Sequence, residues 1–297
     1  MSIPMVIYYC WFGNKKPQKV IDCINNWKEM LPDYEIVEIN EHNEKLFDVE
    51  KECKNNLWFK TCYENKMWAY VADYARLKVL YEHGGVYFDT DITVEKDITE
   101  LLNQNKLILG WEDQLNINIA VGVVVAVADN FLIKKMLDFY NEAIWYSKLY
   151  TIPQIATFVI KKYYKLNPST EITENDDILI LPQEYFYPIP IGLNERESFV
   201  TQNTYTIHWW DGSWSKSNID YFLRNKHKVQ TDKLLNKCFK QKVLFDNKFL
   251  KIEKLFKEFS IKFDFYYVFK FKYKYYQRRR FLTIILFGIQ IPVWRTK

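Results

Sequence analysis

The sequence predicts an α/β fold with a Rossmann-like first half and a basic, mainly helical C-terminal extension. Three observations carry this expectation. Residues 3–12, 17–30 and 34–39 read as strand, helix and strand, the opening of a parallel sheet. Residues 66–92 read as a helix, a glycine pair, a short apolar strand and two aspartates. The charge divides unevenly: residues 1–215 hold 20 Lys+Arg against 31 Asp+Glu, and residues 216–297 hold 21 against 6. That split of −11 and +15 sets a domain boundary near residue 215 and implies different partners for the two parts. A chain of 297 residues, 48% hydrophobic and with only 8 Gly and 9 Pro, has enough apolar material for one substantial core.

The first strand is apolar and ends at Gly13-Asn14. In the helix that follows, Val20, Ile21, Ile24 and Trp27 recur at helical spacing. Tyr34–Ile39 alternates as a second strand. Trp11 falls at the first strand's carboxyl end, where such sheets bind ligands. It is a candidate platform for a nucleobase, although large aromatics more often simply bury. Residues 41–65 are polar and poorly patterned, and predict a short helix and loops. Met67–His83 lacks Gly and Pro and is rich in helix formers. Gly84 suits a left-handed C-cap, Gly85 a sharp turn, and Val86–Phe88 a short strand.

Asp89 and Asp91 follow, and strand spacing would point both carboxylates to one side. Converging carboxylates repel unless a cation lies between them. A divalent ion that also holds a diphosphate answers both needs, and oxygen ligands suit Mg²⁺ or Mn²⁺. Asp73 and Arg76 share a helix face at i, i+3 spacing. Asp73 is a candidate acceptor for sugar hydroxyls, and Arg76 for contact with sugar or phosphate oxygens. An isolated Asp-x-Asp is more often a solvated turn; the combination of helix, Gly-Gly, strand and Asp-x-Asp is what raises its weight.

Further on, 107–111, 117–126 and 178–182 read as strands, 129–147 as a helix and 183–188 as a loop or turn. Residues 205–214 combine His208 with three tryptophans and end the expected core. Neutral imidazole is a reasonable third ligand beside two carboxylates.

The stretches Ala72–Leu77 and His83–Asp91 resemble the sugar-binding region of glycosyltransferase family 32, over residues 3–215 as a whole. The resemblance implies an A-type glycosyltransferase, Rossmann-like and nucleotide-sugar-binding, that is metal-dependent and retaining. It would move a sugar from a nucleoside diphosphate sugar, UDP-sugars first, to a glycan or lipid-linked acceptor in bacterial capsule or lipopolysaccharide synthesis. Asn118 matches an asparagine that the family places near the sugar, with Asn116 as the alternative. The expected catalytic set is then Asp73, Arg76, Asp89, Asp91 and Asn118. Trp11, Asp73, Arg76, Tyr87, Asp89, Asn118 and Trp214 form the expected donor-binding set. Asp89, Asp91 and His208 are the expected ligands for Mn²⁺ or Mg²⁺, with Ser213 or Asp211 as further oxygen donors. One departure stands out: Ile152-Pro153 occupies the place of the family's Gly-Pro.

The five cysteines are scattered and odd in number, which argues against a disulfide scaffold or a structural zinc site. Residues 3–10 are too short for a signal peptide. A cytoplasmic enzyme, peripheral at the inner face of the plasma membrane, is the expectation. The extension interleaves aromatics with Lys and Arg and ends in the apolar stretch 281–294, too short to span a bilayer as a helix. It suits peripheral contact with an anionic membrane. Two other readings compete: a non-enzymatic protein binding nucleic acid or an anionic polymer, and a sugar-nucleotide hydrolase. The first leaves residues 66–92 unexplained, so no nucleic-acid partner is expected.

Overall fold

The structure, a computed structural model, describes residues 2–13, 15–112, 118–193 and 198–211, with Leu223, Lys226 and the backbone of 281–286 and 289–295. The chain falls into two compact units, Met1–His227 and Lys228–Lys297.

The first unit opens with the expected β-α-β unit. β1 (Val6–Cys10) is followed by α1 (Gln18–Met30), which buries Val20, Cys23, Ile24 and Trp27, and by β2 (Glu35–Ile39), parallel to β1. Trp27 buries its ring and donates its indole N–H to the carbonyl of Ile92 at 2.8 Å, so no polar atom is stranded. Where one short helix was expected there are two, α2 (Val49–Asn55) and α3 (Leu57–Glu64). Their first turns are capped by the side chains of Asp48 and Asn56.

α4 (Trp68–His83) buries residues around most of its circumference, including Val71, Asp73, Arg76, Leu77 and Leu80. It therefore packs between layers rather than on the surface. Gly84 closes it by donating to the Leu80 carbonyl at 2.9 Å. Its φ of +68° is paired with a ψ of −169°, outside the left-handed helical well that a C-cap glycine usually occupies. Then come β3 (Gly85–Phe88), β4 (Ile92–Val94), α5 (Thr99–Leu102), β5 (Leu107–Trp111) and β6 (Ile119–Ala126). α6 (Phe131–Asp138) runs into one π turn and stops at Ala143, short of the expected residue 147. α7 (Ile152–Ile160), β7 (Thr173–Glu174) and β8 (Ile178–Leu181) follow. α8 (Gln183–Phe186) is a single helical turn in the expected loop, and β9 (Thr206–His208) completes the described core.

Seven strands form one sheet in the order β2-β1-β3-β6-β5-β8-β7. β2, β1 and β3 are parallel; β6 runs antiparallel to both β3 and β5; β5 and β8 are parallel. β6 is buried at all eight positions, so both its faces are covered. Its unbroken apolar run, without polar alternation, follows from that. β4 and β9 form a separate antiparallel pair with Ile92 opposite His208.

In the second unit, β10 (Phe281–Leu286) and β11 (Ile289–Arg295) form an antiparallel hairpin. The extension was expected to be mainly helical, and this hairpin is its described strand pair. β-branched Thr283, Ile284, Ile285, Ile289, Ile291 and Val293 favour strand over helix here. The helix expected over Lys233–Lys257 lies outside the described residues. Among the described residues no helix is long and apolar enough to cross a membrane.

The junction of α4 and β3 has no room for a side chain. A Cβ on Gly84 would lie 2.7 Å from the backbone nitrogen of Ala128 and 3.1 Å from the carbonyl oxygen of Ala126. Gly84→Ala is expected to lower the unfolding free energy by at least about 2 kcal/mol in urea denaturation, through positive φ and backbone overlap together.

Candidate active site

Asp89-Thr90-Asp91 is a turn between β3 and β4, closed by the Ile92 N–H donating to the Asp89 carbonyl at 3.1 Å. Strand alternation therefore does not align the two carboxylates. The turn and the pairing of β4 with β9 do so, and β9 brings His208 alongside. One ligand atom each from Asp89, Asp91 and His208 lies within 4.8 Å of the others.

Arg76 organises the Asp89 side. Its guanidinium is almost fully buried and commits its donors to the protein. Nε donates to the Ala72 carbonyl at 3.3 Å. One terminal nitrogen reaches the Val121 carbonyl at 2.8 Å and Asp89 Oδ2 at 3.3 Å. The other reaches Asp73 Oδ1 and Asp89 Oδ1, each at 3.1 Å. Four of these contacts are hydrogen bonds, and the approach to Asp89 Oδ1 is an ion pair. Sequence spacing pointed Arg76 at sugar or phosphate; the structure places it as a bridge between two carboxylates and β6. Tyr87, also expected at the donor, lies beneath it. Its ring centre is 4.5 Å from the guanidinium carbon, and its hydroxyl donates to Asp89 Oδ1 at 3.1 Å.

Asp73 is buried on the same helix. Burial pushes its carboxyl up to about 7 against the pull of Arg76, which it shares with Asp89, and against a backbone hydrogen bond from Ile152. Ile152 thus serves Asp73 through its N–H, a role that needs no particular side chain.

Asp91 is compensated separately. His208 Nε2 lies 3.0 Å from Asp91 Oδ1, and the Asp211 N–H donates to Asp91 Oδ2 at 2.9 Å. Burial alone would lower the His208 pKa; the charge and hydrogen bond of Asp91 outweigh it and raise the value. Burial works against the ionised form of Asp91 too, but His208 holds its carboxyl below the usual range. Trp210 packs on the imidazole with centroids 4.0 Å apart, and its own indole N–H is anchored on the Ile189 carbonyl at 2.7 Å. His208 Nδ1 is buried with no hydrogen-bond partner. Two carboxylates and an imidazole whose Nε2 faces Asp91 fit a divalent ion of the Mg²⁺ or Mn²⁺ kind.

A cavity of about 350 Å³ opens at the carboxyl ends of β1 and β2, lined by Trp11, Lys15, Lys16, Glu38, Asn40 and Glu41 among others. Trp11 both lines it and packs against the core, so its two competing readings meet in one position. Glu38 accepts from Tyr9 at 2.7 Å and Asn40 at 3.0 Å and pairs with Lys16 at 2.5 Å. Lys16, Glu38 and Asn40 were not singled out from sequence, although their place at or near the carboxyl ends of the first two strands was the available signal. Asn118 stands at the start of β6, where its carbonyl accepts the Glu112 N–H at 2.9 Å. Gly122 was also missed: its carbonyl accepts the Asp89 N–H at 2.7 Å. Asn116, Ser213 and Trp214 lie outside the described residues.

A Rossmann-like half-sheet, an Asp-Asp-His cluster and a cavity at the ends of β1 and β2 fit the A-type glycosyltransferase fold expected from the sequence. Comparison with known proteins agrees. Residues 17–108 match the family described as "Glycosyltransferase sugar-binding region containing DXD motif". The chain is 30% identical over 155 residues to human lactosylceramide 4-alpha-galactosyltransferase, covering 48% of this chain and 41% of that one. It is 28% identical over 103 residues to inositol phosphoceramide mannosyltransferase 3 of Schizosaccharomyces pombe, covering 34% of this chain and 28% of that one. Among solved structures, the apo form of the glycosyltransferase GlyE of Streptococcus pneumoniae superposes with a TM-score of 0.44 at 13% identity, covering 81% of this chain and 64% of that one. Residues 17–108 of the chain are thus similar to the DXD-containing sugar-binding region of glycosyltransferases, and the chain spans less than half the length of the human relative.

Two predictions follow from this geometry. A Cβ on Gly122 would sit 3.0 Å from Asp89 Oδ2. Gly122→Ala is expected to leave the melting temperature within a few degrees of wild type while weakening Mn²⁺ binding at least about tenfold, measured by calorimetry. Asp73 has a folded pKa above its ordinary 3.8. The sign is therefore that of a group whose neutral form stabilises the fold: its contribution is complete below about pH 4 and lost as pH rises through about 7. Urea denaturation should show wild type losing stability relative to Asp73→Asn as pH rises from about 5 to about 7.5. Parallel curves for the two proteins would contradict it.

Proposed function

We propose that this chain is a metal-dependent retaining glycosyltransferase that takes a nucleoside diphosphate sugar, first of all a UDP-sugar. The observation that carries this reading is the convergence of Asp89, Asp91 and His208 within 4.8 Å, in a chain with a DXD sugar-binding region. Asp91 and His208 would hold Mn²⁺ or Mg²⁺. Asp89, fixed by Arg76 and Tyr87, would meet the ion through water or face the ribose or sugar. A bound divalent ion would neutralise charge on the diphosphate leaving group. Asp73 would accept a sugar hydroxyl, Asn118 would flank the sugar, and Trp11 would carry the base against the cavity wall. Trp214 is proposed to close over the diphosphate. The retaining outcome rests on the family resemblance.

A lipid-linked acceptor is supported by the names of both relatives, which specify ceramide-based substrates. The family resemblance points to polysaccharide synthesis of the capsule or lipopolysaccharide type as the setting. Residues 216–297, with their excess of 15 positive charges, would keep the enzyme at the inner face of the plasma membrane.

A thermal-shift panel of nucleotides and sugar nucleotides with Mn²⁺ tests donor class, and product analysis tests transfer. Asp91→Asn is expected to keep its fold and lose at least about a thousandfold in turnover, the scale on which removal of transition-state charge stabilisation acts. Near wild-type turnover of Asp91→Asn, in an assay that a chelator abolishes, would overturn the assignment of Asp91.

A further inference from the structure

The face formed by α6, α7 and the turn after α7 carries none of the side chains assigned to sugar transfer. It exposes three aromatic side chains, Phe131, Phe158 and Tyr163, at 48%, 41% and 47%. Phe131 and Tyr163 meet edge to face at 5.0 Å, which ties the start of α6 to the end of α7. Lys162 Nζ stands 4.2 Å from the Phe158 ring centre, and Lys135 Nζ 5.4 Å from that of Phe131. Asp138 takes up Lys134 and Lys135. Lys161, Lys162 and Lys165 are exposed and have no acidic partner among the described residues.

The charge of this region runs against its surroundings. Residues 130–165 hold six lysines and two acidic residues, whereas the other positions up to 215 hold 14 Lys+Arg and 29 Asp+Glu. One basic patch on an otherwise acidic unit favours an anionic partner by position as well as by sign. The rings decide which partner. Nucleobases need open aromatic faces, and here Tyr163 and Phe131 pack edge to face while a lysine covers Phe158. Shallow insertion at a lipid headgroup layer asks only for exposed ring edges with ammonium groups beside them.

We infer that the face carrying Phe131, Phe158, Tyr163, Lys161, Lys162 and Lys165 docks the folded core on an anionic phospholipid surface. This surface is made of residues of the first unit, and the inference does not depend on the sugar-transfer reading. It also orients the molecule. α7 begins at Asp73, through the Ile152 N–H, and ends at the patch. Its nine residues span about 14 Å, so the acidic site stands off from the patch by roughly that length along the helix.

The test is co-sedimentation of the full chain with vesicles of phosphatidylcholine alone or with about 30 mol% phosphatidylserine, at about 0.1 M salt. Two variants are compared with wild type: Lys161→Glu/Lys162→Glu/Lys165→Glu, and Phe131→Ser/Phe158→Ser/Tyr163→Ser. Both substitute exposed side chains, and unchanged melting temperature and Mn²⁺ binding verify the fold. Each variant is expected to partition at least about fivefold less onto anionic vesicles. The milder Lys162→Ala should show a smaller loss in the same direction. Wild-type partition by both triple variants would assign all membrane binding to the extension and overturn the inference. So would equal binding of wild type to neutral vesicles, or a preference for single-stranded nucleic acid that the variants abolish.

Discussion

One buried guanidinium holds the acidic side of the site together. Asp73 and Asp89 come from different elements, and both lie against Arg76 in a region largely closed to water. Two carboxylates that share one site repel when both are ionised, and burial together with this repulsion raises the Asp73 pKa. A planar cation placed between them reverses the sign of that energy and fixes the angle of each carboxylate. Arg76 also bonds the Val121 carbonyl, so the charge centre of the site is one of the pins that set α4 against β6. Lysine has no fork with which to make these bonds at once, although it carries the same charge.

The two carboxylates of the Asp-x-Asp turn are therefore compensated by different kinds of cation. Asp89 is held by a group that keeps its proton at every accessible pH. Asp91 is held by an imidazole, which can give its proton up. An incoming dication competes with a fixed charge at the first and only with a proton at the second. This difference favours Asp91 as the direct ligand and leaves Asp89 suited to outer contacts. Trp210, held at a positive φ of 54° and anchored through its indole, keeps the imidazole from turning away from the pair.

Much of the fold was legible because local pattern and tertiary environment agree. The β-α-β opening, α4 with its glycine pair, and the apolar run of β6 all satisfy both propensity and burial. The boundaries that shifted lie where side-chain caps or packing decide: Asp48 and Asn56 start two helices in a stretch without apolar periodicity, and α6 ends in a π turn. At the site, residue types were legible but their employment was not. Spacing placed Asp73 and Arg76 together, yet nothing local announces that Arg76 meets Val121 and Asp89 across the sheet. Asp89 and Asp91 converge by a turn, not by strand alternation, because β4 leaves the main sheet to pair with β9. Glu38, Lys16 and Gly122 matter through contacts that only the assembled sheet creates.

The pairing of His208 with Asp91 joins positions 117 residues apart. Closing a loop of that length costs on the order of 4 kcal/mol in chain entropy, beyond a constant term. The Asp-x-Asp turn closes locally, but β3 also pairs with β6 and Arg76 bonds Val121, both later in the chain than the two aspartates. The imidazole reaches them only after nearly the whole core has emerged. On the proposed assignment of Asp91 and His208 as ligands, a chain that ends before β9 would lack part of the ion site.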